Sequence, residues 1–122
     1  MKVLLVEDEE GVRGIAAQLL QSCGYQVMEA GDGEQALEII KENSGSIDLL
    51  ISDVVMPNMD GPAMVAQARR AFPDLPVLFM SGYAEEQLRK EINIADVHFL
   101  PKPFTVQQVT DKVGAVLATA GG

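Results

Sequence analysis

The sequence predicts an α/β protein, a doubly wound (βα)5 sandwich built on a five-stranded parallel sheet. Three observations carry this reading. Five short β-like runs recur, separated mostly by helix-like patterns. The first, third and fourth are nearly unbroken apolar, which suits strands covered by helices on both faces. The chain has 122 residues, 48% of them hydrophobic, which is one domain with one core and no need of staples.

The elements follow in order. Val3-Leu4-Leu5-Val6 is an apolar run that stops at the acidic cluster Glu7-Asp8-Glu9-Glu10. Val12, Ile15, Ala16, Leu19 and Leu20 then form a stripe at helical spacing, and Gly24 supplies a stop. Gln26–Ala30 is mixed in character and reads as a more exposed strand. Asp32 can cap a second helix with Gln35 three residues later, and Ala36, Leu37 and Ile40 form its inner side. Asp48–Ser52 is the third strand. Pro62 fits the first turn of a helix that ends before Pro73, with Asp60-Gly61 as turn and cap rather than ligand. Val77–Met80 is the fourth strand, followed by a polar helix over 84–91. Val97–Leu100 is the fifth and weakest strand. Thr105 with Gln108 caps a last helix whose Val106, Val109, Val113, Val116 and Leu117 face inward, and 119–122 form a frayed tail.

Right-handed crossovers and the most apolar strands at the centre favour the order 2-1-3-4-5. The whole of 1–122 reads as a single domain, without repeat, linker or low-complexity segment.

The formal charge is −9, and all of the excess lies in the first half: residues 1–60 carry 12 acids and 3 bases, residues 61–122 carry 6 of each. Such a balance argues against a nucleic-acid partner, which needs clustered Lys and Arg. Cys23 is the only cysteine, so no internal disulfide forms and a reducing, cytoplasmic setting is expected. No apolar run approaches membrane-spanning length, so direct membrane contact is not expected, although a longer parent chain could carry an anchor.

In a doubly wound sheet, ligands bind beyond the carboxyl ends of the strands. There the first strand delivers Glu7 and Asp8, the third Asp53, the fourth Ser81, and the fifth Lys102 within Pro101-Lys102-Pro103. Three carboxylates together call for a cation, and an oxygen-only, open site suits Mg²⁺. A hydroxyl and an amine opposite could grip the other oxygens of a phosphoryl group, and the set suits phosphoryl transfer onto a carboxylate.

The segments Val-Glu7-Asp8-Glu, Asp53-Val-Val-Met-Pro57-Asn-Met-Asp60-Gly61, Met-Ser81-Gly82 and Pro-Lys102-Pro103-Phe104 resemble the signature of response-regulator receiver domains over essentially the whole chain. MPNMDGP, SGYAEE and FLPKPF further resemble the C-terminal receiver of hybrid sensor histidine kinases of the bacterial cell-cycle phosphorelay type. The resemblance implies the flavodoxin-like form of the fold, with Asp53 as phosphoacceptor. It implies Mg²⁺ held by Asp8, Asp53 and the Val55 backbone carbonyl, with Glu7 acting through a metal-bound water. Ser81 and Phe99 would be the switch pair, Lys102 would ion-pair with the phosphoryl group, and the Lys102-Pro103 bond would be cis. Val55 and Tyr83 would flank the path of an attacking water and modulate phosphate lifetime.

The implied function is a phosphorelay receiver that accepts a phosphoryl group from phosphohistidine. Its switching face would comprise the helix over 84–91, the fifth strand and the last helix. Its partners would be a histidine kinase, a histidine phosphotransfer protein, or a neighbouring kinase domain of the parent chain, with the receiver itself a monomer or weak dimer. It would not be an enzyme beyond its own phosphorylation and dephosphorylation. Alternatives are a stand-alone regulator, an aspartyl-phosphate phosphohydrolase, a nucleotide or flavin binder, and a pseudo-receiver. The hydrolase is disfavoured because Val55 stands where its second Asp would, and the nucleotide binder because Glu7 to Glu10 would repel phosphate. His98, Cys23 and the methionines 56, 59, 64 and 80 read as structural.

Overall fold

The strands are β1 (Lys2–Val6), β2 (Gln26–Ala30), β3 (Leu49–Asp53), β4 (Val77–Ser81) and β5 (Val97–Pro101). They pair in parallel in the order β2-β1-β3-β4-β5, as the apolar runs require. The computed structural model describes residues 2–43, 45–56, 59–81, 97–101 and 105–121, and all side chains among them except those of 101 and 119–121. The helix expected over 84–91 lies outside the described residues.

Alternation along the strands sends successive side chains to opposite faces. On one face Leu4, Leu50, Val77, Phe79 and Phe99 pack under α2 (Gly33–Glu42) and α3 (Gly61–Ala71), against Ala36, Ile40, Met64, Val65 and Ala68. On the other, Val3, Leu5, Ile51, Leu78 and Met80 pack under α1 (Glu10–Ser22) and the C-terminal helix (Val106–Gly121), against Ala16, Leu20, Val109 and Val113. The exposed character of β2 follows from its place at the sheet edge.

The helix ends are set by the chemistry read from the sequence. Asp32 accepts from the Gln35 amide at 2.8 Å, and Asp60 from the Ala63 amide at 2.8 Å, each satisfying a first-turn donor. Thr105 and Gln108 form a reciprocal box, with bonds of 3.1 and 2.8 Å. Gly24 sits at φ 93° after α1, a conformation that glycine adopts without a Cβ clash.

Five expectations need correction. Val12 and Ile15 face solvent, Ile15 being 70% exposed, and Ala17 takes the inward place instead. The buried stripe of α1 is Ala16, Ala17 and Leu20, with Leu19 packed beside it. Val106 is likewise exposed, since it occupies the first turn, before the C-terminal helix reaches the sheet. The third strand is displaced by one residue and ends at Asp53, whose neighbour Val54 still donates to the Met80 carbonyl at 3.2 Å. The C-terminal helix continues to Gly121, through most of the expected frayed tail. Cys23 is half-buried, with its sulfur 3.4 Å from the Thr110 hydroxyl, a polar contact beyond simple packing.

These placements predict unequal sensitivities. Leu78→Ala should lower unfolding free energy by about 2–5 kcal/mol, because Leu78 is fully buried. Ile15→Ala should change it by no more than about 0.5 kcal/mol. Denaturant titration would decide; equal losses would sink the assignment of the α1 face.

Candidate functional site

The site lies at the carboxyl edge of the sheet, and the register between β1 and β3 creates it. Val6 pairs with Ser52, so the next residues on each strand, Glu7 and Asp53, emerge side by side. Glu7, Asp8 and Asp53 each offer an oxygen, and these oxygens lie within 4.8 Å of one another. Glu7 is 1% exposed and Asp53 7%, while Asp8 is open to solvent.

Glu7 is fixed by its surroundings. Its amide donates to the Ala30 carbonyl at 3.1 Å, extending the β1–β2 ladder by one residue. Its carboxylate accepts from the Glu9 amide at 3.2 Å, and its own carbonyl accepts from Arg13 Nη1 at 2.9 Å. Asp53 is held by its strand and by what covers it. The buried Ser52 hydroxyl donates to the Asp53 carbonyl at 2.8 Å. Gly61, the first residue of α3, donates its amide to the Val54 carbonyl at 2.8 Å. A Cβ at Gly61 would overlap the Asp53 carbonyl oxygen and come within 2.9 Å of Phe79 Cε1, so only glycine lets α3 start this close to the strand.

Ser81 closes β4, is buried, and pairs with Pro101 at the end of β5. It stands one residue beyond Met80, the register partner of Asp53. Phe99 lies inside, 3% exposed, its ring 6.0 Å from that of Phe79 at an interplanar angle of 28°. Val55 is 69% exposed, on the outer side of the loop that follows Asp53. Lys102 and Tyr83, and the Lys102-Pro103 peptide bond, lie outside the described residues. Among the sequence-predicted residues, the structure therefore brings together Glu7, Asp8 and Asp53, and sets Ser81 at the end of the next strand.

Two buried carboxylates about 5 Å apart repel by roughly 3 kcal/mol at an effective dielectric near 20. A divalent cation among them would turn that repulsion into attraction. All the donors are hard oxygens and Asp8 is exposed, so Glu7, Asp8 and Asp53 would fit a hard divalent cation such as Mg²⁺. A cleft of about 200 Å³, lined by residues that include Ile40, Ile47, Phe72 and Leu75, lies at the amino ends of β3 and β4, the opposite edge of the sheet. The acidic site, at the carboxyl edge, is buried except at Asp8.

Sequence reasoning missed Ser52 and Arg13, and read Gly61 only as part of a turn and cap. The Ser52 hydroxyl and the Gly61 amide both bond main-chain carbonyls, contacts that residue-type patterns do not signal. Arg13 left one trace, as the only base between Lys2 and Lys41 in a strongly acidic half.

A doubly wound sheet with this acidic edge defines a class, and comparison with known proteins agrees with it. Residues 3–114 match the model of the response regulator receiver domain, and the chain belongs to that family. It is 47% identical over 116 residues to the sensor kinase CckA of Brucella abortus, covering 94% of this chain but 12% of the kinase. It is 32% identical over 120 residues to the response regulator receiver protein CpdR of the same organism, covering 98% of each. The crystal structure of the receiver domain of a hybrid histidine kinase CckA superposes with a TM-score of 0.83 at 46% identity, over 96% of this chain and 99% of that one. Membership in the two-component receiver family is thus shown by sequence and by fold.

Gly61→Ala should lower stability by about 1–3 kcal/mol, because the new methyl must displace either the Asp53 carbonyl or the Phe79 ring. Thermal unfolding would measure it; a neutral substitution would show that α3 can start farther from β3 than it does here.

Proposed function

We propose that the domain accepts a phosphoryl group on Asp53 from a phosphohistidine of a partner, and that this charge change is its signal. The observation that carries the reading is the grouping of Asp53 with Glu7 and Asp8 at the carboxyl edge of the sheet. Asp53 supplies the nucleophile: one carboxylate oxygen attacks phosphorus in line as the P–N bond to the donor imidazole breaks, leaving an acyl phosphate on Asp53. Mg²⁺ when bound would neutralise charge on the phosphoryl oxygens, held by Asp8, Asp53 and the Val55 carbonyl, with Glu7 acting through water. Lys102, directly after the register partner of Ser81, is assigned the opposite side of the phosphoryl group, and the Ser81 hydroxyl a bond to one of its oxygens.

Phosphorylation then draws on the switch pair, Ser81 and Phe99. Phe99 already lies against Phe79, so the inward position is available to it. Switching requires only a few kcal/mol of differential interaction between two states. The face read out by partners comprises the segment 84–91, β5 and the C-terminal helix. Val55 and Tyr83 are assigned to tuning the lifetime of the acyl phosphate, and the exposure of Val55 supports its part in this.

We assign the domain to the receiver of a hybrid histidine kinase acting in a phosphorelay, with a histidine kinase or histidine phosphotransfer protein as partner. The extent of identity to a sensor kinase supports this. The near-complete coverage of a receiver protein of similar length supports the alternative, a stand-alone regulator. Residues 1–122 are proposed to act as one domain, monomeric or weakly dimeric, in the cytoplasm. No helix among the described residues is long and apolar enough to cross a membrane.

The test is intact mass after incubation with Mg²⁺ and a small phosphodonor. One phosphoryl group should add to the wild type, only with Mg²⁺, and none to Asp53→Asn. Equal labelling of both would overturn the acceptor assignment. Separately, millimolar Mg²⁺ should raise the melting temperature of the wild type and leave that of Asp8→Asn unchanged.

A further inference from the structure

We propose that Arg13 is a positioning residue of the acidic site, fixing the peptide that joins Glu7 to Asp8 and thereby setting where the Asp8 carboxylate stands. This rests on reading Glu7, Asp8 and Asp53 as a divalent-cation site.

Arg13 lies in the first turn of α1, and its amide donates to the Glu9 carbonyl at 2.8 Å, closing the acidic loop onto the helix. Its guanidinium reaches back over the loop. Nη1 donates to the Glu7 carbonyl at 2.9 Å, and Nε lies 3.5 Å from Glu29 Oε1 on β2. The Arg13 side chain is 20% exposed, against 44% for Glu29, so the guanidinium sits in a slot rather than on the surface. Gly31 forms a wall of that slot. A Cβ there would lie 3.1 Å from Arg13 Nη1, and the Gly31 amide is itself held by Gln35 Oε1 at 2.7 Å.

The atom that Arg13 grips matters. The carbonyl of Glu7 belongs to the planar peptide that ends at the Asp8 nitrogen, so holding that oxygen fixes the peptide plane and the start of Asp8. Glu7 is otherwise anchored, by its amide on Ala30 and its carboxylate on the Glu9 amide. Asp8 is exposed, and among the described contacts its amide and carboxylate carry no such bond. Arg13 therefore holds the less constrained of the two ligands from β1. The planar guanidinium makes a hydrogen bond to a carbonyl and an ion pair with a carboxylate at once, which a lysine ammonium at the end of a flexible stem does not reproduce.

The sign of the effect separates positioning from charge. As a nearby positive charge, Arg13 would oppose a cation, and its removal would tighten Mg²⁺ binding. As a brace, its removal would weaken Mg²⁺ binding. Calorimetric titration with MgCl₂ at 20 °C, on variants whose circular dichroism shows them folded, is the test. Arg13→Ala should raise the Mg²⁺ dissociation constant about tenfold, and Arg13→Lys should recover only part of that loss. Gly31→Ala, which crowds the guanidinium without changing any charge, should weaken binding by a smaller factor. In metal-free protein, amide exchange across residues 7–10 should quicken in Arg13→Ala while that of β3 stays as in the wild type. Unchanged or tighter Mg²⁺ binding by Arg13→Ala, or unchanged exchange, would overturn the role given to Arg13. A wild type that binds no Mg²⁺ would instead overturn the metal reading and the inference that rests on it.

Discussion

The register between β1 and β3 is the constraint on which the acidic site depends. Side chains alternate across a strand, so a slip of one residue would send Asp53 to the other face of the sheet and part it from Glu7. Four consecutive pairs, from Val3 with Leu49 to Val6 with Ser52, set the register, and each strand is buried on both faces. A slipped pairing would exchange the residues packed under α2 and α3 for those under α1 and the C-terminal helix, across two filled cores. The hydrophobic cost of that exchange locks together carboxylates that repel one another. The core thus holds, through geometry alone, three oxygen donors within 4.8 Å of one another.

The covering loops follow the same logic with finer means. Gly61 brings the start of α3 against the Asp53 carbonyl, and Ser52 donates to that same oxygen from the sheet. Glu7 is held through its amide, its carbonyl and its carboxylate. Each contact acts on backbone or on a neighbouring carboxylate, and each limits how far the acidic side chains can stray.

Much of this was legible in the sequence because the signals were local. Unbroken apolar runs marked the central strands, and the caps at Asp32, Asp60 and Thr105 were read from residue type and spacing. The acidic cluster was legible because each of its members follows an apolar strand. The inner face of α1 departs from the expectation because Val12 and Ile15 satisfy helical spacing with Ala16, Leu19 and Leu20, yet the helix turns its Ala16–Ala17–Leu20 side to the sheet. The end of β3 was misread because Asp53 looks like a terminator, whereas its strand pairs with β4 one residue longer. The work of Arg13 and Ser52 was hidden, since a side chain bonded to a main-chain carbonyl depends on tertiary placement. The matched relatives, a long sensor kinase of which this chain covers 12% and a receiver protein covered almost entirely, show that one such unit serves in both settings.

The division of the interior by the sheet carries a consequence for how such a domain diversifies. Phe79 and Phe99 belong to the layer beneath α3, while their strand neighbours Leu78, Met80 and Leu100 belong to the layer beneath α1 and the C-terminal helix. The two layers meet only through strand backbone, so side-chain volumes on one side need not be balanced against those on the other. Substitutions that reshape the outward surface of α1, where Ile15 already stands in solvent, can therefore accumulate with little repacking around the aromatic pair. The packing around Phe79 and Phe99 is thereby insulated from changes on the outer surface of α1.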